Sequence, residues 1–260
     1  MTDLLREQFG VNCSKITPIN LGLSAAFNCK VETGGKAYFL KFYDREKAQF
    51  ALWTKPIPDY MPVLAWLNEN AGLRGKIVNP VQTLNGNYHF ENADGVFLLF
   101  DFIDGEPLAA NEMPPAQIRE AAEILACLHG FKSEIPVPTD EIMEDFSVPF
   151  CDDLLHFLER REDVPADIQA AVKPYRETLR RKNDELVKLA KAAKAKNAGF
   201  VLCHTDAHYK NFMQSDRLVL VDWEGLKLAP AEADLFMFTQ KKVLEHIYRT
   251  VSKIAHGLPA

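Results

Sequence analysis

Residues 203–212 read CHTDAHYKNF, and residues 218–224 read LVLVDWE. An apolar run leads into each of these polar segments, which predicts two short buried strands on either side of a polar loop. Such a loop would hold Asp206 and Asn211 close to Asp222. Two carboxylates and one amide oxygen form a cluster of hard oxygen ligands, which suits Mg²⁺ together with a phosphate-bearing ligand.

The spacing within these segments indicates phosphoryl transfer. The pattern His-x-Asp-x-x-x-x-Asn, followed by an Asp at the end of a short strand, is the arrangement that kinases use. In that arrangement Asp206 accepts the proton of an attacking hydroxyl, while Asn211 and Asp222 hold the metal ions that neutralise the nucleotide phosphates. Each residue could instead cap a turn. Their joint spacing favours the phosphoryl-transfer interpretation.

The same segments resemble the catalytic loop of the aminoglycoside phosphotransferase family, the choline-kinase-like or protein-kinase-like small-molecule kinases. Residues 221–224 (VDWE) and 228–235 (LAPAEADL) are most similar to the branch that phosphorylates spectinomycin. The resemblance implies an α+β, two-lobed protein-kinase-like fold. Its N-terminal lobe, residues 1–103, would combine an antiparallel sheet with one helix and bind the nucleotide. Residues 104–260 would form a mainly helical lobe with the catalytic loop and the acceptor site.

The resemblance also implies roles for individual residues. The counterpart of Asp234 in the family steadies the catalytic loop, and His204 would be a packed anchor of that loop. Glu224 would lie beside the metal site, where it could contact a cationic acceptor. His208 is interpreted as an ordinary loop residue.

A single lysine in an apolar strand marks the predicted nucleotide site. Residues 37–43 (AYFLKFY) form a strand pattern, and Lys41 within it is costly to bury without an anion. In the kinase plan this lysine binds the α- and β-phosphates. A kinase normally pairs it with a Glu on the next helix, which is predicted here over 60–70. That Glu is not placed by the sequence: Glu69 is a candidate, but a solvated helix end is the favoured interpretation of Glu69.

Two further nucleotide contacts follow from the resemblance. Residues 16–31 predict a strand, a tight loop and a second strand, in which Gly22 permits unusual backbone torsions. The family carries its nucleotide-covering loop here, so Ser24 would donate to the β- or γ-phosphate. The predicted hinge at 101–108 contains Gly and Pro. There the adenine base would be held by the C=O of Asp101 and by the N–H and C=O of Ile103.

The remaining elements are predicted from hydrophobic periodicity and turn residues. Further strands are expected at 78–84, 88–90 and 96–100. Helices are expected at 2–10, 115–129, 152–161, 166–197 with a break at Pro174, and 235–260.

Composition bounds the class of protein. The 260 residues are 47% apolar and 25% charged, as in ordinary globular chains, and the net charge of −6 argues against a nucleic-acid partner. No apolar run is long enough to cross a membrane, and the N-terminus lacks the features of a signal peptide. Five scattered cysteines fit reduced thiols. We therefore expect a cytoplasmic monomer or homodimer.

The predicted activity is transfer of the γ-phosphoryl group of ATP (or GTP) to a hydroxyl of a small molecule, with Mg²⁺ as cofactor. The resemblance favours an aminoglycoside or aminocyclitol antibiotic such as spectinomycin as the acceptor. A kinase of choline, homoserine or a sugar is the enzymatic alternative. The unplaced helix Glu and the short segment after Asp234 leave a nucleotide-binding pseudokinase open. A metal hydrolase using His204, Asp206 and His208 is a third class.

Overall fold

A computed structural model of the chain describes residues 1–21, 24–108, 113–160, 164–196 and 199–235. The helices are α1 Thr2–Phe9, α2 Phe50–Thr54, α3 Ile57–Asn70, α4 Pro115–His129, α5 Phe150–Glu159, α6 Ala166–Val172, α7 Arg176–Lys196 and α8 Glu232–Leu235. The strands are β1 Lys15–Ile19, β2 Phe27–Glu32, β3 Ala37–Asp44, β4 Phe90–Glu91, β5 Gly95–Asp101, β6 Glu106–Pro107, β7 Val201–Cys203, β8 Phe212–Gln214, β9 Leu218–Leu220 and β10 Lys227–Ala229.

The chain divides into two compact units. One contains residues 1–143 and 200–260, and the other contains residues 144–199. The predicted lobe boundary between residues 103 and 104 runs inside the first unit and stays a prediction. The predicted α+β class, with an N-terminal antiparallel sheet and a mainly helical C-terminal part, is confirmed.

A five-stranded sheet dominates the N-terminal part of the first unit. Its strand order is β1-β2-β3-β5-β4, and every neighbouring pair is antiparallel. Side chains alternate between the two faces of a strand. Accordingly, Leu98 and Phe100 of β5 join the core cluster that contains helix α3, whereas Phe97 and Leu99 join the cluster that contains α1. The sheet is therefore covered on both faces.

Short strands frame the polar loop identified from the sequence. Strand β7 leads into the loop and pairs with β10, while β8 leaves it and pairs with β9. All three residues of β9 are buried, and the strand ends just before Val221 and Asp222. The sequence predicted the strands before the loop and before Asp222, but it did not predict β8 or β10.

The second unit is helical. Helix α5 contacts α7, and Arg176 Nη1 donates to the carbonyl oxygen of Leu158 at 2.7 Å. A 3₁₀ turn, Lys173–Tyr175, separates α6 from α7 at the position where Pro174 predicted a break. Proline disrupts a helix because it lacks a backbone N–H donor.

Three predicted elements differ from the structure. The strand expected at 78–84 is reduced to an isolated antiparallel bridge between Pro80 and Phe100. Hydrogen bonds flank this bridge, from Val81 N–H to the Leu99 carbonyl oxygen at 2.8 Å and from Asp101 N–H to the Asn79 carbonyl oxygen at 2.9 Å. The strand expected at 88–90 shrinks to β4. Helix α3 begins at Ile57 and continues through Pro62, so it is longer than predicted.

Two further predictions reach outside the described residues. The helix expected at 235–260 lies outside the described residues after Leu235. Gly22 also lies outside the described residues. Within the described ranges, no helix combines the length and the apolar character needed to span a bilayer.

Candidate active site

The polar loop has an unusual backbone. Thr205 and Asp222 have φ angles of 64° and 69°, in the left-handed region that residues with a side chain rarely adopt. Such conformations persist only where the surroundings hold them, and they cluster at functional sites. Thr205 lies at the start of the loop, directly before the predicted site residue Asp206. Asp222 lies shortly after the end of β9 and is itself a predicted site residue.

Asp206 and Asn211 lie together as the sequence predicted. The Nδ2 atom of Asn211 donates to Asp206 Oδ2 at 3.0 Å and to the Asp206 carbonyl oxygen at 2.9 Å. The backbone oxygen of Asn211 accepts the N–H of Val221 at 2.9 Å. The loop is thereby tied to the residue that precedes Asp222. With its amide N–H₂ engaged, Asn211 has its amide oxygen left as a ligand atom.

His204 is the anchor of the loop. It is completely buried, and its Nδ1 accepts the N–H of Asp206 at 3.3 Å. Its Nε2 lies 3.0 Å from the carbonyl oxygen of Val221, to which it donates. Burial lowers the pKa of His204, which matches this neutral tautomer. Since both ring nitrogens are engaged, a metal hydrolase would lack His204 as a ligand.

The buried carboxylate of Asp234 stabilises the start of the loop. Its carboxylate accepts the N–H of His204 at 3.1 Å and that of Thr205 at 2.6 Å. The Nε2 atom of His129 lies 2.8 Å from the same side chain. Cys203 completes a buried group of possible ligand atoms with His129 and Asp234. The Asp234 oxygens are already occupied by these hydrogen bonds, so the group has a structural role.

Lys41 is nearly buried and carries two carboxylate partners. Its Nζ atom pairs with Asp222 Oδ1 and lies 2.6 Å from Glu224 Oε1. Burial alone would lower the pKa of Lys41, but the carboxylates of Glu224 and Asp222 outweigh it and hold that pKa well above its usual range. Burial would raise the pKa of Asp222, but the positive charge of Lys41 outweighs burial, so the pKa of Asp222 is lowered. Both groups are charged at neutral pH.

Glu69 lies at the exposed end of α3, as the sequence favoured, in a polar groove that is also lined by Lys36, Tyr38 and Asp101. The second carboxylate partner of Lys41 is Glu224, and a contact between Glu224 and a cationic acceptor stays a prediction. The Oε1 atom of Glu224 accepts from Lys41 and from the Tyr43 hydroxyl. Sequence reasoning missed Tyr43, although its position two residues after Lys41 puts it on the same strand face.

The oxygen cluster fits a divalent cation by its donor chemistry. The side chains of Asp222 and Asp206 are 41% and 42% exposed, so a ligand can reach both carboxylates. Carboxylate and amide oxygens are the ligands that Mg²⁺ takes while it keeps part of its water shell. The residues present therefore suit the predicted metal.

Ser24 is exposed and is connected to the strand of Lys41. The Nδ2 atom of Asn28 donates to Ser24 Oγ at 2.8 Å. Asn28 in turn lies directly opposite Lys41 in the β2–β3 pairing and is buried. The serine hydroxyl accepts this bond and keeps its own proton for another acceptor. Sequence reasoning did not identify Asn28, because the contact depends on strand register.

The two predicted adenine-binding residues lie at and after the end of β5. The Asp101 side chain pairs with Lys36 at 2.6 Å and accepts from Asn79 Nδ2 at 3.0 Å. Ile103 follows in the irregular segment 102–105. A Cβ atom on Gly105 would lie 2.4 Å from the carbonyl oxygen of Gln214, so the chain passes close to β8 here. The adenine-binding roles of Asp101 and Ile103 stay predictions.

Solved structures of small-molecule kinases resemble this fold. Spectinomycin phosphotransferase APH(9)-Ia, in complex with ADP and spectinomycin, superposes with a TM-score of 0.72 at 19% identity, over 96% of this chain and 78% of that one. Plasmodium vivax ethanolamine kinase has a TM-score of 0.61 at 16% identity, over 95% and 71% of the two chains. A microcompartment-associated aminopropanol kinase has a TM-score of 0.60 at 16% identity, over 100% and 80%. The predicted kinase-like fold is thus confirmed.

A family model gives the assignment at the level of sequence. No curated protein matches the chain. The model of the phosphotransferase enzyme family that includes the aminoglycoside phosphotransferases matches residues 15–249, which is most of the chain. The match contains the loop, the Lys41 strand and Asp234, whose contacts are described above. This chain therefore belongs to the phosphotransferase enzyme family.

Proposed function

We propose that this protein is a magnesium-dependent kinase that transfers the γ-phosphoryl group of ATP or GTP to a hydroxyl of an aminoglycoside or aminocyclitol antibiotic such as spectinomycin. One observation carries the proposal. Asp222 pairs with Lys41 at the end of β9, and Val221 ties this point to a loop in which Asp206 and Asn211 are bonded to each other. The groups proposed to bind phosphate and the carboxylate proposed to accept a proton would thereby belong to one site.

Asp206 has the geometry of a base. Asn211 donates to its Oδ2, while 42% of the side chain remains exposed and can meet an acceptor hydroxyl. The amide bond also fixes the direction of the carboxylate. Phosphoryl transfer depends mainly on such positioning and on charge stabilisation. Asp206 would orient the acceptor hydroxyl and take its proton.

The nucleotide would be held by groups from the sheet and its loops. Lys41 would bind phosphate oxygens, and the Ser24 hydroxyl would donate to the β- or γ-phosphate. The base would meet the backbone of Asp101 and Ile103. Asn211 and Asp222 would hold Mg²⁺, which neutralises phosphate charge when bound.

The acceptor is proposed from the sequence of residues 221–235 and from the likeness to spectinomycin phosphotransferase. A small amino alcohol is the second candidate. It is favoured by the ethanolamine and aminopropanol kinases, which have the same fold over nearly all of this chain. Fold alone does not choose between these acceptors.

A coupled ADP-release assay tests the proposal. Mg²⁺–ATP and Mg²⁺–GTP would each be combined with spectinomycin, kanamycin-type aminoglycosides, ethanolamine, aminopropanol, choline, homoserine and simple sugars, with Asp206→Ala as the blank. We expect turnover on an antibiotic that is lost in the variant. Turnover on an amino alcohol would establish the second candidate. Nucleotide binding without turnover on any acceptor would favour a pseudokinase, and failure to bind nucleotide would overturn the proposal.

A further inference from the structure

A buried tyrosine reaches the site through the carboxylate that pairs with Lys41. Tyr43 is 2% exposed, and its hydroxyl donates to Glu224 Oε1. The same oxygen accepts from Lys41 Nζ at 2.6 Å. Lys41 and Tyr43 are two residues apart on β3, so both side chains leave the same face of the strand. Glu224 arrives from the turn after β9. Three side chains from two distant segments therefore meet at one oxygen atom.

Helix α3 does not supply the carboxylate that kinases place opposite this lysine. The helix turns Tyr60, Met61 and Leu64 into the core. Glu69 lies in the groove described above and does not contact Lys41. Among the described residues, the carboxylates paired with Lys41 are Asp222 and Glu224. The glutamate that pairs with Lys41 is therefore Glu224, two residues after the proposed metal ligand Asp222, and not a residue of helix α3.

Asp222 and Glu224 have different roles under the proposed function. A metal ion would take Asp222, and Glu224 would then be the carboxylate that remains for Lys41. The lysine side chain is 11% exposed, and a charge buried to that degree is costly without a partner. The Glu224 side chain is 21% exposed, and a Glu is a good partner for this lysine only when its carboxylate direction is fixed. The Tyr43 hydroxyl supplies that restraint.

A hydroxyl at position 43 is not needed to fill the core. Phenylalanine would provide the same ring against the same neighbours, whereas a buried tyrosine hydroxyl needs an acceptor. Burial, as the largest effect, raises the pKa of Tyr43, so the hydroxyl remains a donor at every physiological pH. Its bond to Glu224 is therefore not lost through ionisation of the tyrosine.

We propose that Tyr43 is a positioning residue for nucleotide binding, which orients Glu224 so that Glu224 holds Lys41 toward the phosphates. This inference rests on the proposed function, because it takes Lys41 as the phosphate-binding group. It assigns Glu224 to the lysine and away from the acceptor. It also predicts that the contribution of Tyr43 depends entirely on the carboxylate of Glu224.

The test is ADP binding by calorimetry, in the presence and absence of Mg²⁺, combined with steady-state kinetics. We expect Tyr43→Phe to weaken ADP binding about tenfold, the loss of one hydrogen bond to a charged group. The nucleotide KM should rise by a similar factor, with a smaller change in kcat. Tyr175→Phe is the control, since it removes a tyrosine hydroxyl from a residue that is 63% exposed and lies in the second unit. Equal losses in the two variants would overturn the proposal.

A double-mutant cycle separates positioning from a general effect on folding. In a Glu224→Ala background, Tyr43→Phe should change ADP affinity less than twofold, because the acceptor of the Tyr43 hydroxyl is gone. Additive losses would overturn the proposal. Failure of the wild-type protein to bind ADP would overturn the proposed function. If the wild-type protein binds ADP and the Tyr43→Phe variant binds it with the same affinity, only the role of Tyr43 would be overturned.

Discussion

The carboxylate of Asp234 accepts the backbone N–H of Thr205 at 2.6 Å, across 29 residues of sequence. Thr205 is one of the residues with a left-handed φ angle, and Asp234 is completely buried beneath it. Hydrogen bonds to an ionised acceptor are stronger than those between neutral groups. The buried charge therefore holds a strained backbone that places Asp206 one residue later.

Replacing Asp234 by Asn should loosen the loop. The substitution keeps the size of the side chain but removes the charge and turns one acceptor oxygen into a donor that faces backbone N–H groups. We expect the free energy of unfolding to fall by about 1.5–3 kcal/mol, measured by urea denaturation. Asp216→Asn is the control, because the Asp216 side chain is 75% exposed. Equal stability of the two variants would contradict this role of Asp234.

Gly225 should not tolerate a side chain. A Cβ atom there would lie 2.4 Å from Thr205 Oγ1 and 2.9 Å from the His204 carbonyl oxygen. The Thr205 hydroxyl also donates to the Gly225 carbonyl oxygen at 2.7 Å. Gly225→Ala should therefore lower the free energy of unfolding by about 1–3 kcal/mol through overpacking. Gly34→Ala, where nothing lies within 4 Å of the new atom, should leave it nearly unchanged.

Asp206 and Lys41 should affect different kinetic constants. Asp206→Ala removes the proposed base and should lower kcat by about 10²- to 10⁴-fold while ADP affinity stays nearly constant. Lys41→Met should instead weaken ADP binding. Calorimetry with ADP and initial-rate measurements on both variants provide the comparison. Wild-type turnover in Asp206→Ala would remove the base assignment.

The stability of the protein should fall in mild acid through His204. Burial lowers the pKa of this ring from 6.5, so the unfolded chain binds a proton at a higher pH than the folded one. The contribution of neutral His204 to the free energy of unfolding is complete above pH 6.5. It declines as the pH falls from 6.5 toward the pKa of His204 in the folded protein. His89, whose pKa burial also lowers, adds to the same trend.

Urea denaturation at about pH 7.5 and about pH 5.5 measures this decline. His204→Gln can still donate and accept hydrogen bonds but does not titrate, so it should lose less stability between the two pH values than the wild-type protein. An equal loss in both proteins would show that His204 is not the responsible group.

Much of the site could be predicted because its residues are close in sequence. Asp206 and Asn211 are five residues apart, and a loop between two strands brings them together, as found. Helix α4 and the break at Pro174 could also be predicted, because helical periodicity and proline act locally. The strand expected at 78–84 was too long, because an apolar pattern does not show where backbone pairing ends. Only the stretch around Pro80 bonds to β5.

The partners of Lys41 could not be predicted in the same way. The apolar pattern around Lys41 determined that it lies on a strand, but not which carboxylate it meets. Asp222 and Glu224 lie 181 and 183 residues away, and the register of β3 and the end of β9 bring them to it.

The sequence by itself determined the spacing of the loop residues, the apolar strands around them and the family resemblance. The tertiary structure decided that Glu224 pairs with Lys41, that Tyr43 bonds to Glu224 and that Asn28 bonds to Ser24. The physical reason is that periodicity and turn chemistry act over a few residues, whereas the partner of a buried charge is chosen by the packing of distant segments, since burying that charge without a partner is too costly.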